Sequence, residues 1–230
     1  MTAFAVSGRQ PLEVLRSPGV FAIVATDALV FEAILVTIAA PIAGAAIGAS
    51  ADGSTSTTLR RLLVALAVFI GTSFLFGSAV SRAGALDAVV LMQSRVALAA
   101  TTLALASVGA LCAAVFANVL DAAGAAVLAA LVAAAGLIGS GPPSADLTER
   151  AINAGLLASP VIAATSAARI DLLRSAALYQ LSPIAHRRFE YPDWVSVSVW
   201  YLSVAGCCLI AMAWKLRGYR PPRIAQRGSS

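Results

Sequence analysis

Two carboxylates inside a long apolar stretch are the side chains of this sequence best placed to do chemistry. Asp27 and Glu32 are the only charged residues between positions 19 and 48. An acid near the middle of a membrane costs about 2.5–3.5 kcal/mol even on the lenient insertion scale, so it needs a partner or a role. Two interpretations stay open. The acids form a substrate or proton site, or Asp27 lies near the headgroups and Glu32 lies in a helix–helix interface.

The spacing of the two acids argues against a paired-carboxylate site. Five positions along a helix turn the side chain through about 500°, which leaves the two acids about 140° apart. We expect Glu32 to face protein or a polar cavity, because an ionised carboxylate in hydrocarbon would protonate or find a partner. The hydroxyls of Thr72 or Ser73 are the candidate partners. Arg60 and Arg61 are not candidate partners of Glu32, because they are predicted to lie near the opposite membrane interface.

Other reactive residues do not form a recognisable catalytic or metal-binding pattern. His186 is the only histidine and stands beside two arginines, which favours a polar loop residue over a metal ligand. The three cysteines, Cys112, Cys207 and Cys208, fall inside apolar runs without a CxxC pair and are expected to pack. The sequence contains no phosphate loop, zinc-protease motif, nucleophile elbow or dinucleotide fingerprint. It therefore predicts no catalytic residue, no metal, no cofactor and no enzyme activity.

The composition indicates that these residues are held in a lipid bilayer. Hydrophobic residues make up 60% and charged residues 12%, against roughly 45–50% and about 25% in soluble domains. The mean hydropathy is +0.87. The charges cluster between long uncharged stretches, as in loops that join membrane spans. The net charge of +5 then indicates contact with anionic headgroups rather than with nucleic acid.

The pattern of apolar stretches predicts an all-α, polytopic transmembrane helix bundle of about six spans. A span needs about 20 apolar residues. The predicted spans are 19–48, 62–80, 96–118, 122–139, 151–168 and 195–214, in one transmembrane domain that ends in a basic cytoplasmic tail at 215–230. The first exceeds the required length, so it must tilt or break at Pro41. The turn between the third and fourth spans is expected around Asn118 and Asp121.

Three further features qualify this topology. Ser81–Arg95 carries apolar residues at helical spacing, which predicts a short interfacial helix between spans 2 and 3. The fifth span is interrupted at Pro160, so a re-entrant or broken helix would also fit. Gly44 and Gly48 form a GxxxG, which lets helix backbones approach closely but arises often by chance in a chain rich in small residues.

The distribution of basic residues predicts the orientation. With six spans and a cytoplasmic N-terminus, the cytoplasmic segments hold ten lysines and arginines and the outer loops hold six. The positive-inside rule therefore places both termini in the cytoplasm. The expected location is a bacterial cytoplasmic (inner) membrane.

Two short motifs stand at defined places in this topology. After the second span the chain reads Gly84-Ala-Leu86-Asp87-Ala-Val-Val90-Leu91, and before the last span it reads Ser182-Pro183-Ile-Ala-His186, followed by Phe189 and Asp193. In both respects the chain resembles the permease subunits of ABC-2-type transporters. It departs from their pattern at Ser81-Arg82, where an acid–arginine pair is usual, and at Met92-Gln93-Ser94, where a small residue and proline are usual.

The resemblance implies a permease half that pairs with itself or with a similar chain. A separate cytoplasmic ATPase would drive transport of an unidentified substrate by acting on Ser81–Arg95. The implied coupling-helix residues are Arg82, Gly84, Leu86, Asp87 and Leu91, and the implied outer-loop residues are Ser182, Pro183 and His186. A non-transporting structural or accessory subunit of a membrane complex remains the alternative, because it fits the small-residue spans and the lack of reactive groups equally well.

Overall fold

The computed structural model of the chain describes residues 18–50, 55–82, 87–135, 149–170 and 190–218. Within these ranges every regular element is a helix, which confirms the all-α prediction for the described part of the chain. The helices are α1 (Pro18–Ser50), α2 (Thr55–Arg82), α3 (Ala88–Val115), α4 (Val119–Ala135), α5 (Glu149–Ala158), α6 (Pro160–Ala167) and α7 (Trp194–Gly218).

Four of these helices are long and apolar enough to cross a membrane. The qualifying segments are Asp27–Ser50 of α1, Ser56–Leu75 of α2, Ala88–Val115 of α3 and Trp194–Lys215 of α7. Helix α4 is also apolar but shorter. Helix α1 is continuous through Pro41, so its excess length is not relieved by a break there. The described residues thus support four candidate spans, and the six-span count is not confirmed.

The predicted boundary between an interfacial helix and the third span is absent. Helix α3 runs without interruption from Ala88 to Val115, and its first two turns are residues 88–95. The carboxylate of Asp87 accepts a hydrogen bond from the Val89 amide at 3.0 Å and so caps the helix N-terminus. No glycine or proline follows before Gly109 to interrupt the helix. The predicted separate helix over Ser81–Arg95 is therefore not confirmed, and residues 83–86 lie outside the described ranges.

The fifth predicted span is broken in the middle. Helix α5 ends at Ala158 and α6 begins at Pro160. A proline disfavours helical backbone in the residue before it, and Ser159 has the extended angles φ −77° and ψ 112°. A continuous helix over 151–168 is therefore not formed, and the broken-helix alternative describes the segment. Helix α6 is buried over nearly its whole length, because it packs among α1, α3 and α7.

Helices α1, α3 and α7 run in the same direction. Glu32 meets Arg95, and further along both helices the backbone of Gly48 lies against Ala110, so α1 and α3 are parallel. Helix α7 is also parallel to α3. Its early residue Val197 shares a buried cluster with Ala97, and its late residue Met212 shares another with Ala110.

Helix α2 runs against these three. Arg61, near its start, donates to the backbone oxygen of Ser50 at the end of α1, and Ser73, near its end, reaches Glu32. The connection between α2 and α3 is therefore at the end of the bundle where α1 begins. We call this the first end, and the end that carries Ser50 and Arg61 the second end.

The start of α1 and the end of α7 consequently lie at opposite ends of the bundle. The sequence placed residues 81–95 and 169–194 on opposite sides, yet Gln93, Ile170 and Trp194 border one cavity at the first end. Helix α6, which begins after the break at Ser159, leads to Ile170 at this end. The described ends, residues 18 and 218, do not support the prediction that both termini lie on the same side.

Glycine contacts set the close approach of α1 and α3. A Cβ at Gly44 would overlap the carbonyl oxygen of Ala106, and a Cβ at Gly48 would lie 2.9 Å from the Cα of Ala110. From the other side, a Cβ at Gly109 would overlap the carbonyl oxygen of Pro41. The GxxxG of the sequence is thus used within the chain, where the lack of side chains lets two backbones touch.

Cysteine accessibility tests these helix directions. In a variant whose three native cysteines are replaced, we expect Ala88→Cys and Glu190→Cys to react with a membrane-impermeant thiol reagent from one side of the membrane. Ala117→Cys and Lys215→Cys should react from the other side, since they lie at the second end and all four positions are exposed. Labelling of positions 88 and 190 from opposite sides would restore the six-span alternation.

Candidate functional site

The described side chains place an ion pair inside the apolar helix bundle. Arg95 of α3 donates through Nη1 to Oε2 of Glu32 on α1. Ser73 of α2 donates through Oγ to the other carboxylate oxygen, Oε1, at 2.7 Å. The Arg95 side chain is 2% exposed and that of Glu32 is 20% exposed. Three helices therefore meet at one carboxylate, and the pair carries no net charge.

The register of the parallel helices brings the pair together. Gly44 lies against Ala106 and Gly48 against Ala110, so each contact joins residues 62 positions apart. Glu32 and Arg95 are 63 positions apart and therefore lie at nearly the same level. The close contacts at these glycines thus occur in the same helix register that brings Arg95 to Glu32.

An apolar cavity of ≈ 290 Å³ extends from Glu32 along the inner side of α2. It lies between α1, α2 and α3, and of the described residues around it two are polar, Glu32 and Thr102. Its apolar wall is formed by Leu35, Val36, Ala39, Ala40, Ala43 and Ile47 of α1, by Leu62, Ala65, Leu66 and Phe69 of α2, and by Leu103 and Ala106 of α3. One carboxylate thus closes one end of a hydrocarbon-lined space.

A second, more open groove of ≈ 340 Å³ lies on the other side of the same carboxylate. It runs between α1 and α2 and is bordered by Phe31, Thr72 and Ser73. Both spaces are lined by Glu32, Leu35 and Phe69. The carboxylate therefore stands at the junction of an inner cavity and an outward-facing groove.

Polar contacts between described residues hold α2 against α1 on each side of the cavity. At the second end Arg61 donates to the carbonyl oxygen of Ser50 at 2.6 Å and to its hydroxyl at 2.8 Å. Toward the first end Ser73 donates to Glu32. These contacts are twelve residues apart on α2, which is about 18 Å along a helix. The α1–α2 interface is thus joined at two points with a space between them.

The sequence prediction for Glu32 agrees with this geometry in one respect and missed another. The hydroxyl of Ser73 is a partner, whereas Thr72 donates to the carbonyl oxygens of Val68 and Phe69 in its own helix. The sequence predicts an interfacial helix that ends at Arg95 and does not indicate this residue as a partner of Glu32. The available signal was its position, since Arg95 immediately precedes the uncharged run that begins at Val96.

The other predicted site residues are dispersed in the structure. Asp27 is exposed on α1, Arg82 ends α2, Asp87 is the exposed cap of α3 and Leu91 is buried. The remaining candidates lie outside the described residues, and these are Gly84, Leu86, Ser182, Pro183 and His186. The coupling and outer-loop roles of all these residues stay predictions.

A polar cavity of ≈ 510 Å³ lies at the first end, where α3 and α7 begin. It is bordered by Gln93, Arg169 and Asp193, and Ser166 closes one side by donating to the carbonyl oxygen of Pro192 at 3.1 Å. A hydrogen bond from the Ser196 hydroxyl lowers the pKa of the Asp193 carboxyl. Among the residues that the structure describes, no group of three or more His, Cys, Asp or Glu could hold a metal ion.

These features define the class of the protein. The chain is all-α over its described residues, has four helices long and apolar enough to span a bilayer, and pairs its buried base with an acid on a neighbouring helix. These are the properties of a helical membrane protein. No known protein family, characterised protein or solved structure matches the chain.

Proposed function

We propose that the chain is the membrane-embedded permease subunit of an ABC-type transporter, which moves a substrate with energy from a separate ATPase chain. The observation that supports this proposal is the Glu32–Arg95 pair at the edge of a cavity. Ionisable residues within membrane-spanning helices commonly mark substrate or ion pathways.

The loose packing of α2 supports the proposal that this helix moves during transport. Only 17% of its candidate span is buried, compared with 56% for α3. Its contacts with α1 at Ser50 and Glu32 are hydrogen bonds that can be exchanged for others, while the glycine contacts hold α1 against α3. Movement of α2 away from α1 would open the cavity to one side, as alternating access requires.

The proposed point of energy input is the connection from Arg82 to Asp87. It joins the loosely packed α2 to α3, the most buried candidate span, so force applied there would move one helix relative to the other. On this proposal the first end faces the cytoplasm of a bacterial cell, and two permease chains combine with the ATPase. Helices α1, α2, α3, α4 and α7 cross the membrane, and the α5–α6 pair enters and returns.

Shielding of the first end by a bound ATPase tests the proposal. We expect the protein, gently solubilised from its native membrane, to co-purify with ATP hydrolysis activity. An Ala88→Cys variant without the native cysteines should lose most of its thiol labelling when the ATPase is bound. The matched control is Ala117→Cys, which is exposed at the second end and should label equally with or without the ATPase.

The alternative is a non-transporting subunit of a larger membrane complex. The broad exposed apolar face of α2, which includes Leu63, Val64 and Val68, would suit burial against other subunits. Stable co-purification with unrelated membrane chains, without ATP hydrolysis and without shielding at position 88, would favour this alternative and contradict the permease proposal.

A further inference from the structure

We propose that the cavity between α1, α2 and α3 binds an uncharged amphiphile, with an apolar tail inside the cavity and a hydroxyl head that donates a hydrogen bond to Glu32. As a substrate site this inference rests on the proposed permease function. As a ligand-binding site it rests on the geometry alone.

The apolar lining of the cavity indicates that the ligand carries an apolar tail. The space of ≈ 290 Å³ is lined, among the described residues, by twelve apolar residues and two polar ones, and its volume is just below the range of about 300–1,000 Å³ for small-molecule sites. Thr102, one of the polar residues, already donates its hydroxyl to the carbonyl oxygen of Leu98 at 2.7 Å. The wall therefore favours a hydrocarbon chain and leaves Glu32 as the main polar anchor.

The hydrogen-bond acceptor positions still open on the Glu32 carboxylate indicate the chemistry of the ligand's head group. An ionised carboxylate only accepts hydrogen bonds and has about four lone-pair positions. Ser73 uses a position on Oε1 and Arg95 uses one on Oε2. The Glu32 side chain remains 20% exposed, whereas Arg95 is 2% exposed behind it. A ligand in the cavity thus reaches an acceptor and not the cation, so its head must be a donor.

The charge of the head follows from the ion pair. Glu32 and Arg95 together are neutral, so an ammonium head would leave one uncompensated positive charge in an apolar environment, which is strongly unfavourable. A carboxylate head would meet the Glu32 carboxylate first and be repelled. A hydroxyl donates without adding charge, and it is therefore the preferred head group.

The route into the cavity is lateral. The outward groove between α1 and α2 shares Leu35 and Phe69 with the cavity. Leu35 is 48% exposed and Phe31, which also lines the groove, is 61% exposed. In a bilayer these apolar side chains face lipid, so an amphiphile can slide between α1 and α2 without crossing water.

Photolabelling of the purified protein in phosphatidylcholine nanodiscs tests the inference. The probe is 1-dodecanol with a diazirine in its chain, and the matched probes are the corresponding alkane, alkylamine and carboxylate. We expect the alcohol to label the cavity wall, at Val36, Ala39 or Leu66, about tenfold more strongly than the alkane, the preference that one hydrogen bond to a charged group provides. Excess unlabelled alcohol should remove the signal.

Variants connect the label to the site. Ala39→Trp fills the cavity and should abolish labelling there, whereas Val64→Trp on the outward face of α2, where Val64 is 58% exposed, should leave it unchanged. The neutral double variant Glu32→Leu with Arg95→Leu should reduce alcohol labelling to the alkane level. Equal labelling by alcohol and alkane in the unmodified protein, strongest labelling by the amine, or an equal loss in both tryptophan variants would overturn the inference. Alcohol-selective labelling without any associated ATPase would retain the ligand site and reject the permease.

Discussion

Replacing Arg95 with leucine is expected to lower the free energy of unfolding by about 3–5 kcal/mol, because it leaves a buried carboxylate without its countercharge. Arg95 is almost fully buried and contacts Glu32 directly. Glu32→Leu should lower the free energy of unfolding by a similar amount, since it leaves the buried guanidinium of Arg95 without its countercharge. Thermal unfolding of the purified protein in mild detergent measures both effects. Asp27→Leu is the matched control, because Asp27 is exposed on the same helix, and it should change stability by at most about 0.5 kcal/mol.

The double variant Glu32→Leu with Arg95→Leu separates stability from function. Replacing both members of a buried ion pair with apolar residues is often neutral or stabilising, so we expect unfolding at or above the temperature of the unmodified protein. Activity should nevertheless be lost if the pair belongs to the substrate pathway. A double variant as unstable as either single variant would show that the pair is not the interaction that matters at these positions.

Adding a single methyl group at Gly44 or Gly109 is expected to be as damaging as losing the ion pair. The new Cβ would overlap a backbone carbonyl oxygen, of Ala106 in one case and Pro41 in the other. Overpacking of a core commonly costs about 1–3 kcal/mol, and backbone atoms cannot rotate away as a side chain can. We expect Gly44→Ala and Gly109→Ala to lose at least about 3 kcal/mol, seen as loss of a monodisperse peak in size-exclusion chromatography.

Two other glycines provide controls with the opposite expected sign. A Cβ at Gly71 or Gly206 would meet no atom within 4 Å, and both lie inside helices. Alanine is favoured over glycine in a helix by about 0.5–1 kcal/mol, so Gly71→Ala and Gly206→Ala should be neutral or slightly stabilising. Equal destabilisation at all four glycines would mean that the α1–α3 contact is not specific.

Local sequence signals predicted the elements better than their arrangement. The apolar runs indicated most of the helices, and the turn expected around Asn118 is present because its side chain accepts from the Leu120 amide at 3.0 Å and starts α4. Pro160 indicated the break between α5 and α6. Apolar runs, helix caps and prolines affect the backbone within a few residues of their own position, so each can be recognised from a single segment of the sequence.

The features that the sequence did not reveal depend on contacts between distant segments. The direction of α7 follows from its packing on α3, and the choice of Arg95 as the partner of Glu32 follows from the alignment of Gly44 with Ala106. Neither is encoded in one apolar run. The base count assumes that every apolar segment crosses the membrane as a continuous helix, and the segment broken at Ser159 does not meet that assumption.

The distance in sequence between Glu32 and Arg95 has a consequence for how the protein is made. Arg95 follows Glu32 by 63 residues, and at about 5–20 residues per second a ribosome needs about 3–13 seconds to add them. During that interval the first helix has left the ribosome while the base that neutralises its acid has not been synthesised. We therefore expect α1 to remain at the insertion machinery, or to hold Glu32 protonated, until α3 emerges. A ribosome stalled before residue 95 should leave α1 crosslinkable to the translocon.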